Sequence, residues 1–277
     1  LLLIHVGGSC IDNFHGLWGI GQIPQWIAVP LTVVASVGII NAINLIDGVN
    51  GLSSGFCILA CIMFGTLFYL SGCMKMTLLA VVSVGALIPF FFHNVFGKTS
   101  RMFIGDGGTL VMGTVMSVFV IEVLRTDSPC SAYASPTVGL IPFALAVLCI
   151  PIFDTLRVMS TRILKGTSPF HPDKTHLHHM FIRLGASHIA TTFAILTLNI
   201  SVVLCWWLLK HLGASIAIQL YAVIGMSLLV TFGLYFFLQW HFCHETKLLR
   251  RIRRVGYSLH ISRTRLFVTL QNLIDKF

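Results

Sequence analysis

Three groups of polar residues stand out against an otherwise apolar chain of 277 residues. The first is Asn41-Ala-Ile-Asn44-Leu-Ile-Asp47-Gly48-Val-Asn50-Gly51. Asn41, Asn44 and Asp47 recur every third residue, which keeps them on one slowly drifting side of a helix. Gly48 and Gly51 then let the chain turn and its backbone approach a ligand. Interhelical amide bonding with a glycine stop would account for one Asn, but accounts poorly for three polar groups followed by D-G-x-x-G. The second group is His93-Asn94, Lys98, Arg101 and Gly105-Asp106-Gly107-Gly108-Thr109. A basic loop runs into a glycine-rich turn that opens a helix, where free N–H groups suit phosphate oxygens and a carboxylate suits a divalent cation. Alone, G-D-G-G is also what a helix cap looks like; Lys98 and Arg101 beside it strengthen the anion reading. The third group is Asp154, Arg157, Arg162 and Lys165, followed by the run from Pro169 to His179 with His171, Asp173, Lys174, His176, His178 and His179. Such a histidine run suits a transition metal or a polyanion held by imidazole and ammonium donors.

The elements that must position these groups follow from composition. The chain is 56% hydrophobic and 10% charged, against about 25% charge in a typical soluble domain. So apolar a chain cannot cover itself with polar surface. A soluble enzyme, a disordered tail and a small disulfide scaffold are excluded, and the net charge of +9 is no nucleic-acid signal. Seven runs are long and apolar enough to span a bilayer: Trp26–Ile46, Leu52–Ser71, Met76–Phe92, Gly107–Leu124, Thr137–Phe153, Ile189–Leu209 and Ala214–Trp240. The opening Leu1-Leu2-Leu3-Ile4 reads as the tail of a further helix rather than a signal peptide. The expected fold is an all-α polytopic transmembrane bundle of about seven complete spans plus a partial N-terminal one. Residues 1–240 form the membrane domain and 241–277 a basic cytosolic tail. Fifteen Lys and Arg fall on one side of these spans and three (Lys75, Arg125, Lys210) on the other, so the fifteen mark the cytosolic side. Asp47, Asp106, Asp154 and Asp173 lie on that side too, which suggests an active site there. The eight cysteines include no C-x-x-C pair and sit mostly in apolar runs, as small hydrophobes do.

Taken in order, the three motifs resemble the polyprenyl-phosphate N-acetylhexosamine-1-phosphate transferases, nearer the WecA-like than the MraY-like branch. The resemblance rests on N-A-I-N-L-I-D-G-V-N-G-L from Asn41, the G-D-x-G-[ST]-type turn at Asp106, and P-I-F-D-T-L-R with D-K-T-H-L-H-H between Pro151 and His179. It implies transfer of a sugar-1-phosphate, GlcNAc-1-phosphate on this branch, from a UDP-sugar to undecaprenyl phosphate with release of UMP and with Mg²⁺ or Mn²⁺ as cofactor. It also implies a bacterial inner-membrane setting. By resemblance, Asp106 is the metal-ligand candidate and, with Asp47, catalytic. Asn41, Asn44, Asn94, Arg101, Lys174, His176, His178 and His179 are the substrate-binding candidates. The bilayer is the other expected partner, nucleic acid is not one, and homo-oligomerisation stays open. Three features depart from the family pattern. No D-D-x-x-D motif precedes Asn41, Asn50 stands where many members carry a second Asp, and the loop from Asn94 to Asp106 is slightly long. Direct displacement and a phosphoryl-enzyme on Asp47 are both compatible with these residues. Two other classes fit less well: a histidine-box metalloenzyme using His176, His178, His179, His241 and His244, and a transporter, which would place charges at mid-membrane.

Overall fold

In a computed structural model, which describes residues 8–134, 137–169, 175–258 and 264–276, the apolar runs become helices whose bounds shift by about one turn at most, except the fifth, which runs on past Phe153 to Leu164. The spans are α1 (Gln25–Leu45), α2 (Leu52–Leu70), α3 (Met74–Phe96) and α4 (Gly105–Val123). A short α5 (Pro129–Tyr133) leads to α6 (Leu140–Val147) and α7 (Cys149–Leu164). After α8 (Leu177–Arg183) and α9 (His188–His211), α10 (Ile216–Leu228) runs through a π-helical turn, Leu229–Gly233, into α11 (Leu234–His244). Two amphipathic helices close the chain, α12 (Lys247–Ser258) and α13 (Arg265–Ile274). Among the described residues six helices are long and apolar enough to cross a membrane, counting α10–α11 as one, and seven if α6 and α7 form one broken span. The chain is a multi-pass, all-α membrane protein. The partial helix expected at the N-terminus falls on residues 1–7, outside the described residues.

The fifth run is the one that differs from its straight expectation: α6 and α7 meet at an angle of 73°. Pro151 is the local cause, because it has no N–H to offer the carbonyl four residues back, that of Val147. In a bilayer, freed backbone groups need partners from neighbouring helices. Asn199 on α9 supplies both: its Nδ2 donates to Val147 O at 3.0 Å and its Oδ1 accepts from Ile150 N at 3.2 Å. Asn199 is wholly buried, and its two bonds straddle the break.

Aromatic rings fill the middle of the bundle. Phe64 packs against Phe119 and Phe143, at 5.7 and 5.5 Å between ring centroids, and Phe143 against Trp206 at 4.9 Å. Outward-facing side chains such as Trp26, Val34 and Leu78 stay exposed, as lipid-facing residues do. The described cysteines are all unpaired. The alternation of spans brings the C-terminal ends of α1, α3 and α7 and the N-terminal ends of α2, α4 and α9 to one end of the bundle, with α8. That end carries the three motifs. The opposite end holds Asp12, whose Oδ1 accepts from Thr126 N at 2.8 Å, and the Glu122–Arg125 pair.

Candidate active site

The register of α1 against α4 sets the first part of the site. A Cβ on Gly113 would sit 2.7 Å from the Ile40 Cα, so only glycine lets the two backbones approach this closely, the small-residue contact on which membrane helices rely. One turn along each antiparallel helix, Asn44 therefore faces Thr109. Asn44 Nδ2 donates to Thr109 Oγ1 at 2.8 Å and to Asp106 Oδ1 at 3.3 Å. Asp106 lies exposed in the first turn of α4, where the helix dipole favours a carboxylate. Gly105 before it has φ 61°, a left-handed turn that glycine adopts without strain.

Asp47 follows the end of α1 and accepts a hydrogen bond from Ser53 Oγ at 2.6 Å. It keeps contact with solvent, but the packing around it removes part of its hydration. That loss, with the nearby Asp106 carboxylate, pushes its pKa above the ordinary carboxylate value, while Ser53 pulls the other way. The turn after Asp47 is held from three sides. Asn94 Oδ1 accepts from Gly51 N while its Nδ2 donates to Met102 O at 2.6 Å. Thr192 Oγ1 on α9 donates to Asn50 O at 2.9 Å, and Asn50 N donates to His188 Nδ1 at 3.3 Å. Both polar ends of Asn94 are thus taken by backbone, so its place is in shaping the cleft.

The third motif is anchored on Asp154, buried on α7. Its Oδ1 accepts from Arg157 Nη2 at 2.7 Å and Nε at 3.1 Å, and its Oδ2 lies 2.9 Å from His176 Nδ1. Leu177 N donates to the same carboxylate, and Arg157 Nη2 reaches Thr175 O at 2.7 Å. Arg157 also lies over the Tyr235 ring, 3.9 Å from its centroid. This network fixes where the histidines begin. The His178 ring stacks parallel to His176 with centroids 5.7 Å apart and touches His179 at 4.2 Å. Burial first, then the other two imidazoles, pushes the His178 pKa down to about 3, so it is a neutral imidazole at physiological pH. Its ring also covers Gly48, in the space a side chain there would need. The first and third motifs therefore touch directly.

Of the remaining candidates, Arg101 is exposed and its Nε donates to Gly97 O at 3.0 Å, which holds its stem on the loop before Asp106. Asn41 points toward α7 rather than α4 and shares a small cleft with Thr155 and Arg162. Asn41 and Asn44 thus serve two sides of α1. Lys174 lies outside the described residues. Asn41 and Thr155 also border an apolar groove of about 820 Å³ between α1, α6 and α7. Val34, Val37 and Leu156 on its wall are exposed to the surroundings of the bundle, so the groove is open sideways. Residues that the motif reading left unassigned complete the site: Ser53 against Asp47, Thr109 against Asn44, and Thr192 and His188 against Asn50. Only Thr109 had a signal, as the last position of the G-D-x-G-[ST] turn.

Among the described residues no three His, Cys, Asp or Glu side chains converge as a ligand set. The histidine box is not assembled there: His241 Nδ1 pairs with Thr246 Oγ1 and His244 Nδ1 with Trp240 O, each at 2.8 Å. The electrostatic coupling of Asp47 to Asp106 suits a different ion. Two neighbouring carboxylates repel, and Mg²⁺ is commonly held by one or two carboxylates together with substrate phosphates.

This membrane bundle, which gathers Asp47, Asp106 and the His176–His179 segment at one end, matches known proteins in sequence. Residues 1–124 match the model of glycosyl transferase family 4. The chain is 31% identical over 214 residues to a probable undecaprenyl-phosphate N-acetylglucosaminyl 1-phosphate transferase of Bacillus subtilis, covering 77% of this chain and 54% of the relative. It is 30% identical over 241 residues to the undecaprenyl-phosphate alpha-N-acetylglucosaminyl 1-phosphate transferase of Escherichia coli K12, covering 84% and 60%. A decaprenyl-phosphate N-acetylglucosaminephosphotransferase of Mycobacterium leprae is 34% identical over 206 residues, covering 68% and 50%. The chain spans about half the length of the curated relatives it matches. No solved structure matches it.

Proposed function

We propose that this chain carries the catalytic cleft of an enzyme that transfers GlcNAc-1-phosphate from UDP-GlcNAc to a polyprenyl phosphate such as undecaprenyl phosphate, releasing UMP. The observation that carries the reading is the meeting of Asp47, Asp106 and the His176–His179 segment at one end of a membrane bundle. The names of the relatives support the substrate classes. Residues 1–240 are the membrane domain on this reading and 241–277 a basic tail. The excess of Lys and Arg at the cleft end supports a cytosolic site in a bacterial inner membrane.

The reaction brings two anions together. A lipid phosphate oxygen attacks the sugar-bearing phosphorus of the UDP-sugar; the new P–O bond forms as the bridging P–O bond to UMP breaks, and the electron pair leaves with UMP. A phosphomonoester has its second pKa near 6, so the attacking group is largely dianionic at pH 7 and needs no strong base. Asp47 and Asp106 would hold Mg²⁺ or Mn²⁺. Bound there, the cation would supply charge neutralisation and alignment of the phosphate oxygens. Arg101 and Lys174 add positive charge; His176, oriented by Asp154, and His178 and His179 add imidazoles toward phosphate or sugar. Asn44 orients Asp106. The apolar groove bordered by Asn41 suits the isoprenoid tail.

The test is UMP release from UDP-GlcNAc by the full-length gene product and by this chain, with undecaprenyl phosphate, with and without Mg²⁺. Release should need both lipid phosphate and metal, and Asp106→Asn should abolish it. Metal-dependent release that survives Asp106→Asn would overturn the assignment of that residue. No release by the full-length wild-type protein would overturn the activity.

A further inference from the structure

The last described helix, α13, folds back onto the cleft end of the bundle. Phe267 is buried there with Val95 and Ile189, its ring 5.1 Å from that of Phe96. Thr264 caps the helix by accepting from Phe267 N at 3.3 Å. Just beyond the helix, Asp275 meets the loop between α3 and α4. Its Oδ1 accepts from the backbone N–H of Lys98 at 2.9 Å, of Thr99 at 3.2 Å and of Ser100 at 3.2 Å, and from Ser100 Oγ at 2.9 Å. Three successive amides converging on one oxygen form an anion-holding nest, and bonds to an ionised acceptor are stronger than neutral ones. Those amides hold the Asp275 pKa down to about 2, so the carboxylate stays charged throughout the physiological range.

What this contact restrains is the approach to the cleft. Asn94 clamps the same loop at Met102, two residues past the nest. Arg101 lies between the two restraints, and Asp106 follows four residues after Met102. We propose that α13 is a strap and that Asp275 is a positioning residue, holding the 98–100 turn so that Arg101 and Asp106 are presented to the cleft. The inference rests on the transferase reading for what the cleft binds, but the strap itself does not. The carboxylate touches no reacting group and acts only through the loop.

The experiment is hydrogen exchange on the full chain in lipid nanodiscs, paired with UMP-release kinetics, for wild type, Asp275→Ala and Asp275→Asn. In Asp275→Ala, the amides of residues 98–100 should exchange about tenfold faster or more, as expected from loss of charge-assisted bonds, while the interiors of α3 and α4 stay protected. KM for the UDP-sugar should rise several-fold with a smaller change in kcat, and Asp275→Asn, which keeps an acceptor oxygen, should recover part of both effects. Unchanged exchange at 98–100 would overturn the strap; faster exchange with unchanged KM and kcat would overturn the positioning role. If Asp275→Ala does not fold, the Asn variant decides by the same two measurements. A wild-type protein that releases no UMP would sink the transferase reading and the positioning role with it, while exchange at 98–100 would still decide the strap.

Discussion

Replacing Gly48 by alanine adds one methyl group where the His178 ring already lies. The methyl carbon would sit 3.0 Å from both Cδ2 and Cε1 of that ring and closer still to Nε2. Gly48 does not have a positive φ, so the backbone accepts alanine without strain and the obstacle is the imidazole alone. His178 has little room to yield, being buried and packed on both His176 and His179. Overpacking of this kind costs about 1–3 kcal/mol. Expressed as misplacement of the histidine segment against Asp47, that is roughly a 5- to 150-fold loss in kcat/KM. UMP release measures it, with thermal unfolding alongside to show that the bundle is intact. The decisive comparison is a double-mutant cycle with His178→Ala, which removes the obstructing ring. Gly48→Ala should then be nearly neutral on top of His178→Ala. An undiminished loss in that background would refute the steric link between the two motifs.

Other perturbations test other parts of the site. Asp154→Asn leaves Arg157 charged in a pocket where both side chains are almost fully buried; breaking such a pair costs about 3–5 kcal/mol, which denaturant or thermal unfolding should register. Burial and Asp106 raise the Asp47 pKa, so the fold binds its proton more tightly than the unfolded chain and its ionisation works against stability as pH rises. Asp47→Asn should therefore raise Tm at pH 7 in the absence of divalent cation. The gain should vanish as pH falls below the ordinary carboxylate value of about 3.9, and a Tm difference independent of pH would contradict this. Gly113→Val sets a branched side chain against the Ile40 backbone and should separate α1 from α4. The expected result is lost stability together with lost transfer, whereas full activity would mean that the Asn44–Thr109 contact does not shape the cleft.

The spans were legible because each is a long run of apolar residues, and the end that gathers the three motifs was legible because scarce charges and histidines collect at it. The break between α6 and α7 was not, since the residues on both sides of Leu148 are equally apolar. Its cause is shared between Pro151 and Asn199, 48 positions apart in the chain, and no local pattern connects them. The motifs marked residues that the fold brings to one end, but not the contacts that each of them makes. Asn41 and Asn44 share a spacing, yet the helix turn between them sends one toward α7 and the other toward Asp106. Asn94 reads as a ligand group from its neighbours, while its amide is engaged by Gly51 and Met102. Gly48 reads as a turn former, and its stronger reason for being glycine is a histidine more than a hundred residues away. The strap through Asp275 left no sequence signal at all, because a backbone nest selects conformation rather than residue type.

The sideways opening of the groove between α1, α6 and α7 has a kinetic consequence. On the proposed function, a lipid that enters past Val34, Val37 and Leu156 is dissolved in a two-dimensional phase, whereas a nucleotide sugar that meets Asp106 and Arg101 comes from bulk water. Occupancy of the groove is then governed by mole fraction in the film around the protein, not by moles per litre of suspension. Adding inert phospholipid or detergent at constant total substrate lowers that mole fraction and should slow turnover by surface dilution, while leaving saturation by the water-borne reactant on an ordinary molar scale. On the transferase reading, the lipid phosphate and the UDP-sugar would thus obey different units of concentration.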